Sequence, residues 1–230
     1  MKNYAIILAS GSGKRFKSNL PKQFVKINGK TIIEYSIEAF ESSKYIDYII
    51  VVINPHYKDL VNTIIKNNNY KKIIKIINGG KERKDSSCIG VNSIDETEAN
   101  VLIHDCARPF ISLNTIEQCA KALKEFNAVA PAINTPDTII EVKNNILISI
   151  PKRQNLMRVQ TPQCFKLSLI KKAHELSKND TEFTDDCGLI LKHHLSDIHI
   201  VNGSEQNIKI TYPEDIKYAE YIFNTRISNN

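Results

Sequence analysis

The feature that most constrains the fold is an alternation of short apolar runs with segments of helical periodicity. Residues 4–8 form an unbroken apolar run of strand length, and residues 30–40 repeat apolar side chains at helical spacing. Further strands are predicted over 46–53, 72–77, 101–103, 128–132 and 198–201, and further helices over 55–65, 114–126 and 167–176. Strand–helix alternation predicts an α/β fold, with a mainly parallel sheet covered on both faces and a ligand site beyond the carboxyl ends of its strands.

The loop after the first apolar run combines small residues with cations. Residues 9–13 read Ala-Ser-Gly-Ser-Gly, so main-chain N–H groups can approach a ligand closely. Lys14, Arg15 and Lys22 lie within nine positions of one another. The pattern suits a polyphosphate, and a small-residue turn with solvated cations is the alternative interpretation of the same residues.

Two familiar phosphate-binding loops are excluded. A P-loop needs glycine five positions before its Gly-Lys and Ser or Thr after the lysine, where this chain has Leu8 and Arg15. The dinucleotide fingerprint needs a third glycine three positions after Gly13, and Phe16 stands there.

Bulk properties narrow the class of protein. A chain of 230 residues suits one α/β domain, and a net charge of +6 permits an anionic substrate. The basic residues are scattered without a nucleic-acid-binding module, and neither a membrane-spanning run nor a signal-peptide pattern is present. Five cysteines without Cys-x-x-Cys spacing indicate reduced thiols. We therefore expect a cytoplasmic protein that binds neither nucleic acid nor membrane.

Two later segments reach the same edge of the predicted sheet. Residues 79–87 place Arg83 and Ser86 at the start of a helix, where an anion or a polar base edge is favoured and a plain helix cap is the alternative. Residues 104–109, at the end of the next strand, read His-Asp-Cys-Ala-Arg-Pro. His104 is interpreted as structural, Asp105 as a group for a hydroxyl or hydrated Mg²⁺, and Arg108 as a group for phosphate.

The region after residue 135 departs from the alternation. Residues 136–142 and 146–150 form two β-like runs around Lys-Asn-Asn, which predicts a hairpin that projects as an arm. Taken locally, Arg153 and Thr161 are a surface residue and a turn residue. Residues 185–186, both Asp, are explained as caps of the following helix.

Ordered motifs through nearly the whole chain resemble the polyol-phosphate cytidylyltransferases. They include small-x-Gly-x-Gly-x-Arg followed by Pro-Lys-Gln-Phe at 21–24, His-Asp-x-x-Arg-Pro at 104–109 and Gln-Thr-Pro-Gln-x-Phe at 160–165. This family joins CTP to a polyol phosphate. The resemblance implies a Rossmann-like, three-layer α/β/α nucleotidyltransferase domain over 1–230, with a β-arm at about 136–158 that embraces the second subunit of a homodimer.

The resemblance also implies roles for individual residues. Catalysis is assigned to Arg15, Lys22 and Lys209. CTP binding is assigned to Ala9, Ser10, Gly11, Gly13, Gly80, Lys81, Arg83 and Ser86. Binding of the polyol phosphate is assigned to Asp105, Arg108, Thr138, Arg153, Thr161, Thr184 and Lys209, some of them acting across the dimer. Mg²⁺ is expected to be held mainly by the CTP phosphates, with Asp105 as the candidate protein group, acting through water.

The acceptor has two alternatives within the family. Ala107 and the Thr-Asp-Asp at 184–186 resemble the 2-C-methyl-D-erythritol 4-phosphate enzymes, which are named first. The absence of tryptophan, with Met157 where that enzyme commonly has one, and the segments 18–21 and 150–153 resemble the ribitol 5-phosphate enzymes. A non-catalytic nucleotide-binding subunit is a third reading, which the presence of the three catalytic cations disfavours.

Overall fold

A computed structural model describes residues 1–11, 13, 16, 20–180, 183 and 185–228. Its strands, in chain order, are β1 (Lys2–Ala9), β2 (Lys26–Ile27), β3 (Lys30–Thr31), β4 (Tyr48–Ile53), β5 (Ile73–Asn78), β6 (Ala99–Asp105), β7 (Ala128–Asn134), β8 (Glu141–Lys143), β9 (Ile146–Ser149), β10 (Met157–Val159), β11 (Gln163–Lys166) and β12 (His199–Asn202). Its helices are α1 (Ile32–Glu41), α2 (Lys58–Asn68), α3 (Arg83–Asn92), α4 (Leu113–Ala122), α5 (Leu167–Leu176), α6 (Asp186–Lys192) and α7 (Asp215–Ser228).

The main sheet is mostly parallel, as the alternation predicts. Its order runs β7-β11-β6-β1-β4-β5, and β10 and β12 also pair with β7. The pairs β1–β4, β1–β6, β4–β5 and β7–β12 are parallel. Strands β10 and β11 are antiparallel to their neighbours. The carboxyl ends of β1, β4, β5 and β6 therefore share one edge of the sheet.

The central strand β1 is covered on both faces, which explains why its sequence is continuously apolar. Ala5 and Ile7 pack into one core with side chains of α1, α2, α4 and α7. Tyr4 and Ile6 pack into a second core with side chains of α3, α5 and α6. Helices on both faces of one sheet give the three layers that were predicted.

Several predicted boundaries shift, and three of the shifts have a visible local reason. The helix predicted over 55–65 is Lys58–Asn68, because Pro55–Tyr57 forms a 3₁₀ turn before it. The strand expected from residue 46 begins at Tyr48, because the Ile46 N–H bonds to Ser43 O in a turn. Helix α4 ends at Ala122 and not at Phe126, because the following N–H groups of Lys124 and Glu125 bond three residues back. Helix α5 has the predicted bounds.

The predicted hairpin is present as a separate two-stranded sheet of β8 and β9. Asn144 and Asn145 between the strands both have positive φ values, 51° and 61°, as a tight hairpin turn requires. Its apolar side chains, including Ile146 and Ile148, are exposed. That the hairpin serves as a dimerisation arm remains a prediction.

Within the described ranges, the helices are all too short or too polar to cross a membrane.

Candidate functional site

A cleft of about 800 Å³ opens at the carboxyl edge of the sheet, where an α/β protein is expected to bind its ligand. It brings together the two loops and the strand end that the sequence placed at this edge. Its lining includes Ala9, Ser10, Gly11, Gly13, Lys22, Gly80, Lys81, Arg83, Asp105, Ala107 and Lys209. Most of the residues predicted to bind CTP or to catalyse therefore face one cavity.

The first loop is tied down by a buried glutamine. Gln23, which is 4% exposed, donates from Nε2 to Ala9 O at 2.8 Å and to Gly11 O at 3.2 Å. Gly13 has φ +65°, a conformation that suits glycine. Gln23 is therefore a site residue that was not predicted, although it belongs to the motif at 21–24. The available signal was a side-chain donor ten positions after the last glycine of the loop, in the Pro-Lys-Gln-Phe motif.

The second loop is joined to the first through a serine pair. Ser86, in the first turn of α3, lies with its Oγ 2.7 Å from Ser10 Oγ. The Gly80 N–H donates to Ser86 Oγ at 3.1 Å, and that hydroxyl donates to Glu82 O at 3.1 Å. One hydroxyl thus fixes the spacing of the two loops that line the cleft.

A charged network lies at the end of β6. Asp105 accepts from Arg83 Nε at 2.8 Å and from Lys209 Nζ at 2.6 Å. Burial by itself raises the pKa of this carboxyl, but Arg83 and Lys209 outweigh it and hold the pKa far below its usual range. Burial likewise opposes the charge on Arg83, and Asp186 and Asp105 more than offset it and raise its pKa. Asp105 is therefore a carboxylate, and Arg83 beside it is charged.

The prediction that Asp186 caps the following helix is wrong, whereas Asp185 does cap it. Asp185 is the N-cap of α6, since its Oδ1 accepts from Gly188 N at 3.0 Å. Asp186 is instead fully buried, and its Oδ2 accepts from Arg83 Nη1 at 2.8 Å. A capping argument uses sequence spacing alone, and it cannot show a partner 103 residues away along the chain.

The two glutamines of the motif at 160–165 are buried, and their side chains bond to backbone groups of other segments. Gln163 Oε1 accepts from the backbone N–H groups of Asp186 at 2.8 Å and Cys187 at 3.1 Å. Gln160 Nε2 donates to Ser204 O at 2.8 Å, and its Oε1 accepts from Ser204 N at 3.1 Å. These contacts connect the end of β10 and the start of β11 to segments that flank the cleft.

His104 is structural, as the sequence analysis expected. It is fully buried, with Nε2 3.0 Å from Arg108 O and Nδ1 3.0 Å from Thr161 Oγ1. A carbonyl oxygen only accepts, so Nε2 carries the proton and Nδ1 accepts from the threonine hydroxyl. Burial lowers the pKa of His104 to about 4, so the ring is neutral.

Other predicted acceptor-binding residues lie outside the cleft lining. The Thr161 hydroxyl is buried and also accepts from Asp105 N at 3.2 Å. Arg108 Nη1 donates to Asn207 O at 2.7 Å. Thr138 is exposed beside the hairpin, and Arg153 lines a separate depression of about 730 Å³ while donating to Pro136 O at 3.1 Å.

A family model for IspD, 2-C-methyl-D-erythritol 4-phosphate cytidylyltransferase, matches residues 4–225 of the chain. The chain belongs to this family. The resemblance inferred from the motifs is thereby confirmed, and membership places the chain among the CTP-dependent cytidylyltransferases.

The names of the related proteins give two different activities. This chain is 44% identical over 219 residues to the 2-C-methyl-D-erythritol 4-phosphate cytidylyltransferase of Clostridium perfringens strain 13, a match that covers 94% of this chain and 96% of the relative. It is 39% identical over an alignment of 231 residues to the bifunctional ribulose 5-phosphate reductase/CDP-ribitol pyrophosphorylase Bcs1 of Haemophilus influenzae. That match covers 98% of this chain and 49% of the relative.

Solved structures of the IspD family share the fold. The 4-diphosphocytidyl-2C-methyl-D-erythritol synthase of Anaerococcus prevotii DSM 20548 superposes with a TM-score of 0.86 at 29% identity, covering 97% of this chain and 96% of that one. The 2-C-methyl-D-erythritol 4-phosphate cytidylyltransferase of Francisella tularensis gives a TM-score of 0.79 at 30% identity, with coverage of 96% and 100%. The α/β nucleotidyltransferase fold is thereby confirmed.

Two residues predicted for the IspD-type site, Arg15 and Thr184, lie outside the described residues. Among the residues that are described, no group of three or more His, Cys, Asp or Glu side chains could hold a metal ion. Each oxygen of Asp105 already accepts from a cation. That Mg²⁺ is held mainly by the CTP phosphates, with Asp105 acting through water, stays a prediction.

Proposed function

We propose that this protein transfers CMP from CTP to 2-C-methyl-D-erythritol 4-phosphate, giving the CDP-polyol and pyrophosphate. The observation that carries the proposal is the cleft in which a small-residue loop faces Lys22 and Lys209. A bare backbone beside two cations suits a triphosphate. Family membership supports CTP as the nucleotide and 2-C-methyl-D-erythritol 4-phosphate as the acceptor.

The proposed reaction is a displacement at phosphorus. A phosphate oxygen of the polyol phosphate forms a bond to the α-phosphorus of CTP, and the bond from that phosphorus to the bridging oxygen breaks as pyrophosphate leaves. Since the nucleophile is already an anion, no strong general base is needed. Lys22, Lys209 and Arg15 would offset the negative charge that develops on the α-phosphate, which lowers the barrier more than it strengthens ground-state binding.

CTP would lie along the two loops that the serine pair joins. Ala9, Ser10, Gly11 and Gly13 would cradle the phosphates. Gly80, Lys81, Arg83 and Ser86 would surround the nucleoside at the start of α3, where N–H groups and the helix dipole favour acceptor atoms. Support comes from the position of the other seven residues on the cleft and, for Ser86, from its hydrogen bonds to Ser10 and Gly80.

Mg²⁺ would be bound mainly by the CTP phosphates, with Asp105 as an outer ligand through water. When bound, the ion would neutralise part of the triphosphate charge and favour departure of pyrophosphate. The side chains of the cleft would orient that phosphate chain, and Lys22 and Lys209 would complete the neutralisation.

The functional unit would be a homodimer of 230-residue chains, with arm residues of one copy completing the site of the other. Thr138 and Arg153 lie near the hairpin and do not line the cleft. A two-stranded hairpin with exposed isoleucines is marginally stable alone, and a second copy would cover it.

A cytoplasmic location is supported by five cysteines that are all free thiols.

D-Ribitol 5-phosphate is a second candidate acceptor, favoured by the 39% identity with the Haemophilus influenzae protein over 98% of this chain. The test is pyrophosphate release by purified protein with CTP and Mg²⁺, with the two acceptors compared at matched concentrations by kcat/KM. A preference for the methylerythritol phosphate supports the proposal, and a preference for ribitol 5-phosphate selects the alternative. CTP binding without turnover of either acceptor would contradict both.

A further inference from the structure

A line of ion pairs runs from the cleft into the protein interior. Lys209 Nζ lies 2.6 Å from Asp105 Oδ2, and Asp105 Oδ1 lies 2.8 Å from Arg83 Nε. Arg83 Nη1 in turn lies 2.8 Å from Asp186 Oδ2. The lysine side chain at the cleft end is 38% exposed and the aspartate side chain at the inner end is 1% exposed.

Asp186 is held from several directions and does not line the cleft. Its Oδ1 accepts from Ser87 Oγ at 2.5 Å, and its backbone N–H donates to Gln163 Oε1 at 2.8 Å. His174 Nε2 lies 3.6 Å away, and burial lowers the pKa of that histidine. A carboxylate in this position cannot contact a substrate, but it can fix the group that does.

That group is Arg83, which lines the cleft. Its guanidinium is planar, so two hydrogen bonds from different nitrogens set both the position and the tilt of the plane. Nε donates a hydrogen bond to Asp105, and Nη1 donates one to Asp186. Nη2 is buried and has no hydrogen-bond partner among the described residues. A buried donor left unpaired is costly, so Nη2 is suited to an acceptor atom that arrives with a ligand.

We propose that Asp186 is a positioning residue for the proposed cytidylyl transfer. It holds Arg83 so that the guanidinium engages a single oxygen of Asp105, leaves the other oxygen to Lys209, and keeps Nη2 available to the substrate. Without the Asp186 charge, the guanidinium is free to turn and chelate both oxygens of Asp105. Lys209 then loses its partner, and the charges in the cleft are misplaced.

The neighbouring Asp185 provides a matched control. It carries the same charge and lies at the same helix start, but its contacts are to Gly188 N and to Gln163 Nε2 at 2.8 Å. Asparagine caps helices about as well as aspartate, so Asp185→Asn changes the charge and keeps the cap. If Asp186 merely stabilised α6, the two substitutions would have similar effects.

The experiment compares Asp186→Asn and Asp185→Asn, each alone and combined with Arg83→Gln. The readouts are thermal unfolding, kcat/KM with CTP and the acceptor that the wild type prefers, and the Kd of Mg-CTP by calorimetry. In folded protein, we expect Asp186→Asn to lower kcat/KM by about 10- to 100-fold and Asp185→Asn to leave at least half of it. In the Arg83→Gln background, Asp186→Asn should cost nothing further, because the group that it positions is gone.

Two results would overturn the proposal: folded Asp186→Asn protein with kcat/KM within twofold of wild type, or the same loss with and without Arg83. If Asp186→Asn does not fold, Ser87→Ala replaces it in the same cycle, with a smaller loss expected that also vanishes in the Arg83→Gln background.

The inference rests on the proposed function, but different results would refute the inference and the proposed function. A wild-type protein that turns over neither acceptor refutes the function, whereas the Mg-CTP Kd cycle still tests whether Asp186 acts through Arg83.

Discussion

Lys22 Nζ donates to the carbonyl oxygen of Ile210 at 2.7 Å, joining segments 188 residues apart in the sequence. Because Lys209 directly precedes Ile210, it lies close to Lys22, and both lysines line the same cleft. Two cations from opposite ends of the chain thus face one cavity, next to the small-residue loop after β1.

Replacing Lys22 with alanine should lower turnover by about 100- to 1,000-fold, because a well-placed donor to the developing charge is lost. Steady-state pyrophosphate release with CTP and the preferred acceptor measures this. Lys26→Ala is the control, since Lys26 is exposed on β2. Near-normal turnover of the folded Lys22→Ala protein would remove Lys22 from the catalytic assignment.

Gly11, which lines the cleft, and Gly79, which precedes the lining residue Gly80, should respond differently to alanine. At Gly79 a Cβ would lie 2.5 Å from Ser10 Cβ and 2.8 Å from Ser86 Oγ, whereas at Gly11 it would meet nothing within 4 Å. We expect Gly79→Ala to lower the free energy of unfolding by about 1–3 kcal/mol. Gly11→Ala should leave that energy unchanged and weaken Mg-CTP binding, because a ligand approaches the loop there.

Denaturant unfolding and calorimetric Mg-CTP titration separate these effects of the two glycines. Equal losses of stability in the two variants would contradict the described packing. Unchanged Mg-CTP affinity in Gly11→Ala would contradict a close approach of the nucleotide at that position.

His104 should make the protein less stable in acid. Its pKa is about 4 in the folded protein and about 6.5 in an unfolded chain. Between these values the unfolded chain binds more protons, so the free energy of unfolding falls as pH falls, by about 3 kcal/mol from this group. Urea unfolding from pH 7 to pH 4 measures the slope.

In His104→Gln the pH slope of stability should become shallower, although the variant is less stable overall. The remaining slope includes His174, whose pKa burial also lowers. An unchanged slope in His104→Gln would contradict the neutral, buried state of this ring.

The exposed hairpin should control the oligomeric state. Ile148 on β9 is 54% exposed, and a second copy is proposed to cover it. Ile148→Lys should convert a dimer to a monomer in sedimentation velocity, since a charge at the centre of an interface is strongly unfavourable. Leu176→Lys, at a position 51% exposed on α5, should leave the assembly unchanged. A wild-type monomer at micromolar concentration would argue against the dimer.

Much of the fold could be predicted from local pattern. The apolar run of β1 signals a strand buried on both faces, and α5 has its predicted bounds because its apolar spacing and its flanking residues agree. The first loop and Gly80 were placed at one edge by the rule that parallel strands share a carboxyl end.

The side-chain network could not be predicted in the same way. Periodicity shows which face of a helix is buried, but it does not show which charged groups meet there. Asp186 was read as a cap because capping needs only neighbours in sequence, whereas its partner Arg83 lies on another helix. The contact of Gln163 with the backbone of Asp186 in the first turn of α6 could not be predicted either, because the two residues are far apart in the sequence.

The most direct test of the central claim is to follow label from CTP into products with purified protein, Mg²⁺ and 2-C-methyl-D-erythritol 4-phosphate. We predict that ³²P at the α-position of CTP appears in the CDP-polyol and that ³²P at the γ-position appears in pyrophosphate. Both transfers should be lost together in Lys22→Ala. Label from the γ-position in inorganic phosphate or in the acceptor, with none passing from the α-position to the polyol, would contradict cytidylyl transfer.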